Sequence, residues 1–128
     1  MKQPIKNWVI ATRPWSFPAS TMPVILTMSY LFFKQEHVFH EINWWFGIIA
    51  LIGVVFVHAA GNLISDYFDY KNNIDRKESF GSSRMLVEGV FKPKTILSFG
   101  FVLLTIGILI GLILTLFTGT DLLWIGLI

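Results

Sequence analysis

Residues 95–117 form a run of 23 positions without one charged side chain. A run of this kind has few destinations. About 20 consecutive apolar residues cross a hydrocarbon core about 30 Å thick as an α-helix. In lipid the backbone N–H and C=O groups must satisfy one another, which leaves a helix as the form for an isolated apolar segment. Two further apolar blocks occupy residues 14–33 and 44–64, and another begins at residue 121. The expected fold class is therefore all-α: a polytopic transmembrane helix bundle with three spans and the start of a fourth. That last block stops after eight residues, so the chain is expected to be the N-terminal part of a longer protein. Charged residues make up 14% of the chain, against about 25% in soluble domains. There are no cysteines, which excludes disulfides and thiolate metal sites, and the net charge of +2 suits no nucleic-acid partner.

Span one opens on Pro14, Pro18 and Pro23, so its start is expected to be irregular or kinked and to regain hydrogen bonds from neighbours. Residues 1–13 read as an amphipathic lead-in, with Ile5, Trp8, Val9 and Ile10 toward the bilayer surface and Arg13 as an interfacial anchor. Trp44 and Trp45 suit a membrane interface. Gly100, Gly107 and Gly111 fall within about 40° of one another on a 3.6-residue helix, a small-residue stripe for close helix packing. Lysine and arginine number three up to Arg13, one in the first loop (Lys34), and six in the segment after span two (Lys71, Arg76, Lys77, Arg84, Lys92, Lys94). The positive-inside rule then places the N-terminus and the 65–94 loop in the cytoplasm, with the spans in the plasma membrane.

The chemistry sits in the polar segment after span two. If that helix continues over 44–70, then Asn62, Asp66 and Asp69 lie at i, i+4 and i+7 on one face, with His58 a turn earlier as a packed, hydrogen-bonded side chain. Asn72 and Asn73 mark the helix end, since asparagine tolerates the left-handed conformation needed there, and Asp75 folds back from the loop. Stacked carboxylates repel one another unless a cation lies between them. Oxygen-only donors point to a hard cation, and Mg²⁺ commonly takes one or two carboxylates together with substrate phosphates. Arginine offers a fork for phosphate oxygens, so Lys71 and Arg84 are candidate diphosphate contacts, and the flexible Gly81-Ser-Ser stretch could wrap an anion. Glu78, Glu88, Lys92 and Lys94 read as an ordinary solvated loop.

At these residues the sequence resembles the UbiA-type intramembrane prenyltransferases. Their first aspartate motif, roughly Asn-Asp-x-x-Asp followed by another aspartate, stands here as Ser65-Asp66-Tyr67-Phe68-Asp69-Tyr70-Lys71-Asn72-Asn73-Ile74-Asp75. Ser65 departs from the usual asparagine, while Asn62 supplies one a turn earlier. The six-residue gap from Asp69 to Asp75 is similar to the 1,4-dihydroxy-2-naphthoate branch rather than the 4-hydroxybenzoate branch. So are the opening Ala11-Thr-Arg-Pro-Trp-Ser-Phe-Pro-Ala-Ser20 and Arg84-Met-Leu-Val-Glu-Gly89. The resemblance implies a nine-helix bundle that transfers a polyprenyl group, with Mg²⁺, from polyprenyl diphosphate to the aromatic acid 1,4-dihydroxy-2-naphthoate. The product is demethylmenaquinone, of menaquinone biosynthesis. It implies Asp66 and Asp69 as catalytic, Asp66, Asp69 and Asp75 as metal ligands, and Asn62, Lys71 and Arg84 as substrate-binding. It also implies a second aspartate motif in later helices, so these 128 residues alone are expected to be inactive.

Alternative readings differ in identifiable ways. Prenyl transfer to another aromatic acceptor would keep the same motif. A CDP-alcohol phosphotransferase would pair its aspartates with glycine and an Ala-Arg step, absent here. A non-enzymatic ion-binding subunit or transporter would carry acidic residues at the bilayer midplane, whereas Asp66 and Asp69 fall at a helix end.

Overall fold

The computed structural model describes residues 4–34, 42–75 and 82–119. Four α-helices follow in order: α1 (Ile5–Ala11), α2 (Pro18–Lys34), α3 (Trp44–Lys71) and α4 (Pro93–Thr118), with a 3₁₀ turn at Pro14–Ser16 between the first two. No strand occurs among the described residues. The start of a fourth span at residue 121 lies outside them.

The break between α1 and α2 follows from local chemistry. Pro14 lacks an N–H and disfavours the α region for the residue before it, and Arg13 takes the left-handed conformation instead, with φ 54 and ψ 60. Side chains cap the interruption: Thr12 Oγ1 donates to the Val9 carbonyl and Ser16 Oγ to that of Arg13, each at 2.8 Å. The two arms are bent by 63°. At 1.5 Å per residue, the 17-residue α2 is about 26 Å long, short of a hydrocarbon core of about 30 Å. Among the described residues α3 and α4 are each long and apolar enough to cross a membrane, and the bent pair makes a third span if it counts as one. The irregular start expected for span one is present as this break at residues 12–17.

Helix α3 starts on Asn43, whose side chain accepts from Trp45 N at 3.1 Å, a regular N-cap. Its end is a Schellman turn. Ile74 N donates to the Asp69 carbonyl and Asn73 N to that of Tyr70, and Asn73 has φ 54. The 28 residues span about 42 Å, roughly two turns more than the hydrocarbon core. That excess is where the polar residues 65–71 sit.

Helices α3 and α4 pack antiparallel, and their glycines let them approach. A Cβ on Gly107 would meet Val57 Cγ2 at 2.6 Å, and one on Gly100 would meet Ile64 Cγ1 at 3.0 Å. Gly111 meets nothing within 4 Å, so the expected stripe is a packing surface at two of its three members. The outer faces stay apolar: Leu116 is 83% and Phe33 78% exposed, as lipid-facing helices require.

The core gathers at the end where α3 stops and α4 begins. Ala11, Ala60, Leu63, Met85, Phe91 and Ile96 belong to it, with Trp8 and Ile10 packed alongside. Trp8 lies against Phe91 and Phe99 with ring centroids 4.3 and 4.5 Å away. Of the four lead-in residues assigned to the bilayer surface, Trp8 and Ile10 thus turn inward, and only Ile5 and Val9 are well exposed. The segment at residues 82–91, read from sequence as part of a polar loop, is likewise anchored. Met85, Leu86 and Phe91 are buried, and backbone bonds from Val90 N and Glu88 N fold it into compact turns.

Candidate functional site

Three segments converge at this end of the bundle: the α1–α2 break, the last turns of α3 and the 82–84 strip before α4. Helix α3 supplies Asn62, Asp66 and Asp69 at the spacing of one face. Asn62 Nδ2 donates to the Thr12 carbonyl and to Ser16 Oγ, both at 2.9 Å. One turn on, Asp66 forms an ion pair with Arg13 and accepts a hydrogen bond from Ser83 Oγ. Asp66 is 2% exposed, and a buried carboxylate of this kind requires a paired charge. Asp69 accepts from Ser65 at 3.1 Å. The Schellman turn then brings Asp75 back toward the helix, its N–H on the Asp69 carbonyl, and Ser82 Oγ donates to its carboxylate at 2.7 Å.

Arg13 is the centre of this arrangement. Beyond its contact with Asp66, the charges of Asp75 and Asp69 both act on its guanidinium. Asp66 is thus the carboxylate in contact with Arg13, and the charges of Asp69 and Asp75 reach it from the end of the same helix and its terminal turn. Strain marks the same place. Among the described residues the non-glycine positions with positive φ are Arg13, Asn73 and Arg84; the first pairs with Asp66, and the others lie within two residues of Asp75 and Ser83. Such conformations cost about 1–3 kcal/mol and concentrate where structure over-determines them for function.

The arrangement corrects two readings of the sequence. Arg13 is not an interfacial anchor; it is inside, with its side chain 15% exposed. Ser82 and Ser83 do not wrap an anion but donate to Asp75 and Asp66. Arg13 was the partner sequence reasoning missed, and its signal was present: a charge beside a membrane span needs a counter-charge. His58 behaves as expected for a packed histidine, with Nδ1 2.8 Å from Ser20 Oγ and Nε2 2.9 Å from Ser16 Oγ.

The candidate diphosphate residues separate. Arg84 sits directly after Ser83, its guanidinium in no ion pair with a described residue. Lys71 lies apart from the carboxylates, in a cavity of about 500 Å³ lined also by Tyr67, Tyr70, Lys92 and Lys94. Further along α3, away from the acidic end, runs an apolar groove of about 460 Å³ lined by residues including Ser20, Val57, His58, Gly107, Ile110 and Gly111.

Would Mg²⁺ fit this donor set? Among the described residues no three His, Asp or Glu side chains form a ready-made metal cage. Magnesium does not need one, because it keeps waters and takes one or two carboxylates plus phosphate oxygens. The oxygen-only donors, and the cationic side chain already held against Asp66, fit such an ion.

Comparison with known proteins gives the same direction. A profile described as the UbiA prenyltransferase family matches residues 22–128. The chain is 38% identical over 107 residues to "UbiA prenyltransferase domain-containing protein 1" of Danio rerio, covering 84% of this chain and 30% of that protein. It is 35% identical over 106 residues to the Homo sapiens protein of the same name, covering 83% and 30%. With the Drosophila melanogaster homolog it shares 30% over 103 residues, covering 80% and 28%. The chain thus spans about 30% of the length of these relatives. No solved structure matches it significantly.

Proposed function

The chain belongs to the UbiA prenyltransferase family, and from that membership we propose that it carries the first half of a magnesium–diphosphate site. The proposed reaction is transfer of a polyprenyl group from its diphosphate to 1,4-dihydroxy-2-naphthoate, giving demethylmenaquinone. The observation that supports the reading is the buried Asp66, held by Arg13 and Ser83, with Asp69 a turn further on and Asp75 folded back against the end of the same helix. Asp66 and Asp69 are the proposed catalytic carboxylates. With Asp75 they would hold Mg²⁺, which supplies Lewis-acid neutralisation of the diphosphate leaving group.

The chain's own groups divide the remaining work. Arg84, in no ion pair among the described residues and next to Ser83 in the chain, is the proposed phosphate contact. Lys71 acts from a distance: with Lys92 and Lys94 it gives this end of the bundle a positive field that concentrates an anionic substrate. Asn62 enters the substrate site through the α1–α2 break it holds. The apolar groove beside α3 is suited to an isoprenoid tail and keeps water from the reacting carbon. Preference for the naphthoate rests on the six-residue gap from Asp69 to Asp75 and on Arg84 and Gly89 five apart. The proposed setting is the plasma membrane, and the basic residues after α3 support placing the N-terminus and the 65–94 loop in the cytoplasm.

In lipid vesicles, Asp66→Asn and Asp69→Asn in the intact enzyme are expected to lower prenyl transfer by more than about 100-fold while the protein still inserts, since even outer-shell changes at metal sites cost 10–100-fold. Near-wild-type transfer by either variant would rule out the site. Offering 1,4-dihydroxy-2-naphthoate and 4-hydroxybenzoate side by side tests the acceptor, and an equal kcat/KM for the two would remove the naphthoate assignment.

A further inference from the structure

Asp66 is the most buried charge in the acidic cluster, and its partner comes not from a ligand but from Arg13, 53 positions away in sequence. The guanidinium meets the carboxylate through its Nη2 on Asp66 Oδ1, and Ser83 Oγ donates to the other carboxylate oxygen. The backbone that delivers the guanidinium is strained, a left-handed residue directly before Pro14. The charges of Asp75 and Asp69 also reach this guanidinium.

We propose that Arg13 is a built-in counterion that occupies the divalent-cation position while the site holds no metal, and that cation entry displaces it from Asp66. The inference rests on the magnesium–diphosphate reading above. A buried carboxylate cannot wait uncompensated for a metal. Arg13 holds Asp66 in place as its counter-charge, and Ser83 keeps it oriented. The αL backbone puts strain on the segment that delivers this partner. A divalent cation can exchange for it because it answers the cluster's excess negative charge and takes oxygen donors. Arg13 is thus a positioning residue that sets how tightly metal binds before substrate arrives.

The two possible roles move metal affinity in opposite directions. Mn²⁺ is titrated by electron paramagnetic resonance into the intact protein in detergent, without diphosphate. Arg13→Gln is expected to bind Mn²⁺ at least tenfold more tightly than wild type. Arg13→Lys is expected to stay as weak as wild type, and Asp66→Asn combined with Arg13→Gln to lose the gain. Unchanged or weaker binding by Arg13→Gln, with Mn²⁺ still bound by wild type and lost in Asp69→Asn, would overturn the counterion role and leave the metal site standing. No Mn²⁺ bound by wild type or by any variant would overturn both. If Arg13→Gln is unstable without metal, Mg²⁺ is expected to raise its Tm more than that of wild type. Absence of that rescue would also overturn the proposal.

Discussion

At the scale of single residues, the site is a set of polar groups that each need a partner within a largely apolar bundle. Asn62 shows what this demands. Its amide closes two gaps left by the broken helix, the Thr12 carbonyl and the Ser16 hydroxyl. Asn62→Ala is expected to destabilise the protein by about 1–3 kcal/mol, the cost of leaving such groups unpaired, read as a lower unfolding midpoint in detergent. If the variant instead keeps wild-type stability while losing diphosphate affinity, Asn62 acts as a direct substrate contact. The helical phase of Asn62, Asp66 and Asp69 could be read from the sequence because they share one continuous helix. Arg13 could not be assigned to Asp66 the same way. The chain direction changes at Arg13-Pro14, and no periodic rule carries a side chain's direction across a left-handed residue.

Among the elements, the α3–α4 pair carries the site, because the end of one helix and the approach to the other bound the acidic cluster. The glycine stripe of α4 was visible as a phase, but phase alone does not say which members touch α3. Gly107 is the tight one: a Cβ there meets Val57 Cγ2 at 2.6 Å, with Val57 N at 3.3 Å and the Gly53 carbonyl at 3.4 Å. Part of that obstruction is backbone and cannot rotate away. Gly107→Ala is expected to cost about 1–3 kcal/mol, the range for overpacking. Gly111→Ala meets open space and is expected to be neutral or to stabilise by up to about 1 kcal/mol through helix propensity. Unfolding both variants in the same detergent checks the difference, and equal effects would mean the two glycines face equivalent surroundings. The broken first span was legible only as an expected irregularity. Its prolines announce a disruption, while the bend of 63° is set by how Trp8 and Ile10 pack against the core.

On the scale of the whole molecule, the chain buries its polar chemistry at one end by folding a loop over it. Met85, Leu86 and Phe91 are spread through a segment whose serines, lysines and glutamates make it read as solvated. Only packing against Ala11 and Trp8 shows that these residues fasten the loop to the bundle. That fastening places Ser82 and Ser83 over Asp75 and Asp66, so the site's serine contacts depend on apolar contacts several residues away. It also ties the orientation of the protein to the side from which substrate enters. Glu88 lies exposed on the loop beside the acidic cluster, and Lys34 ends α2 at the opposite end of the bundle. The sequence has no cysteine, so single substitutions give an unambiguous label. With a membrane-impermeant maleimide on intact cells, Lys34→Cys is expected to react and Glu88→Cys to react only after the membrane is opened. The distribution of basic residues sets this expectation, and under the proposed function a diphosphate leaving group would then depart on the cytoplasmic side. Reaction of Glu88→Cys in intact cells, with Lys34→Cys protected, would reverse the orientation and put the acidic cluster on the outer face, where the polyprenyl diphosphate would have to approach from the other leaflet.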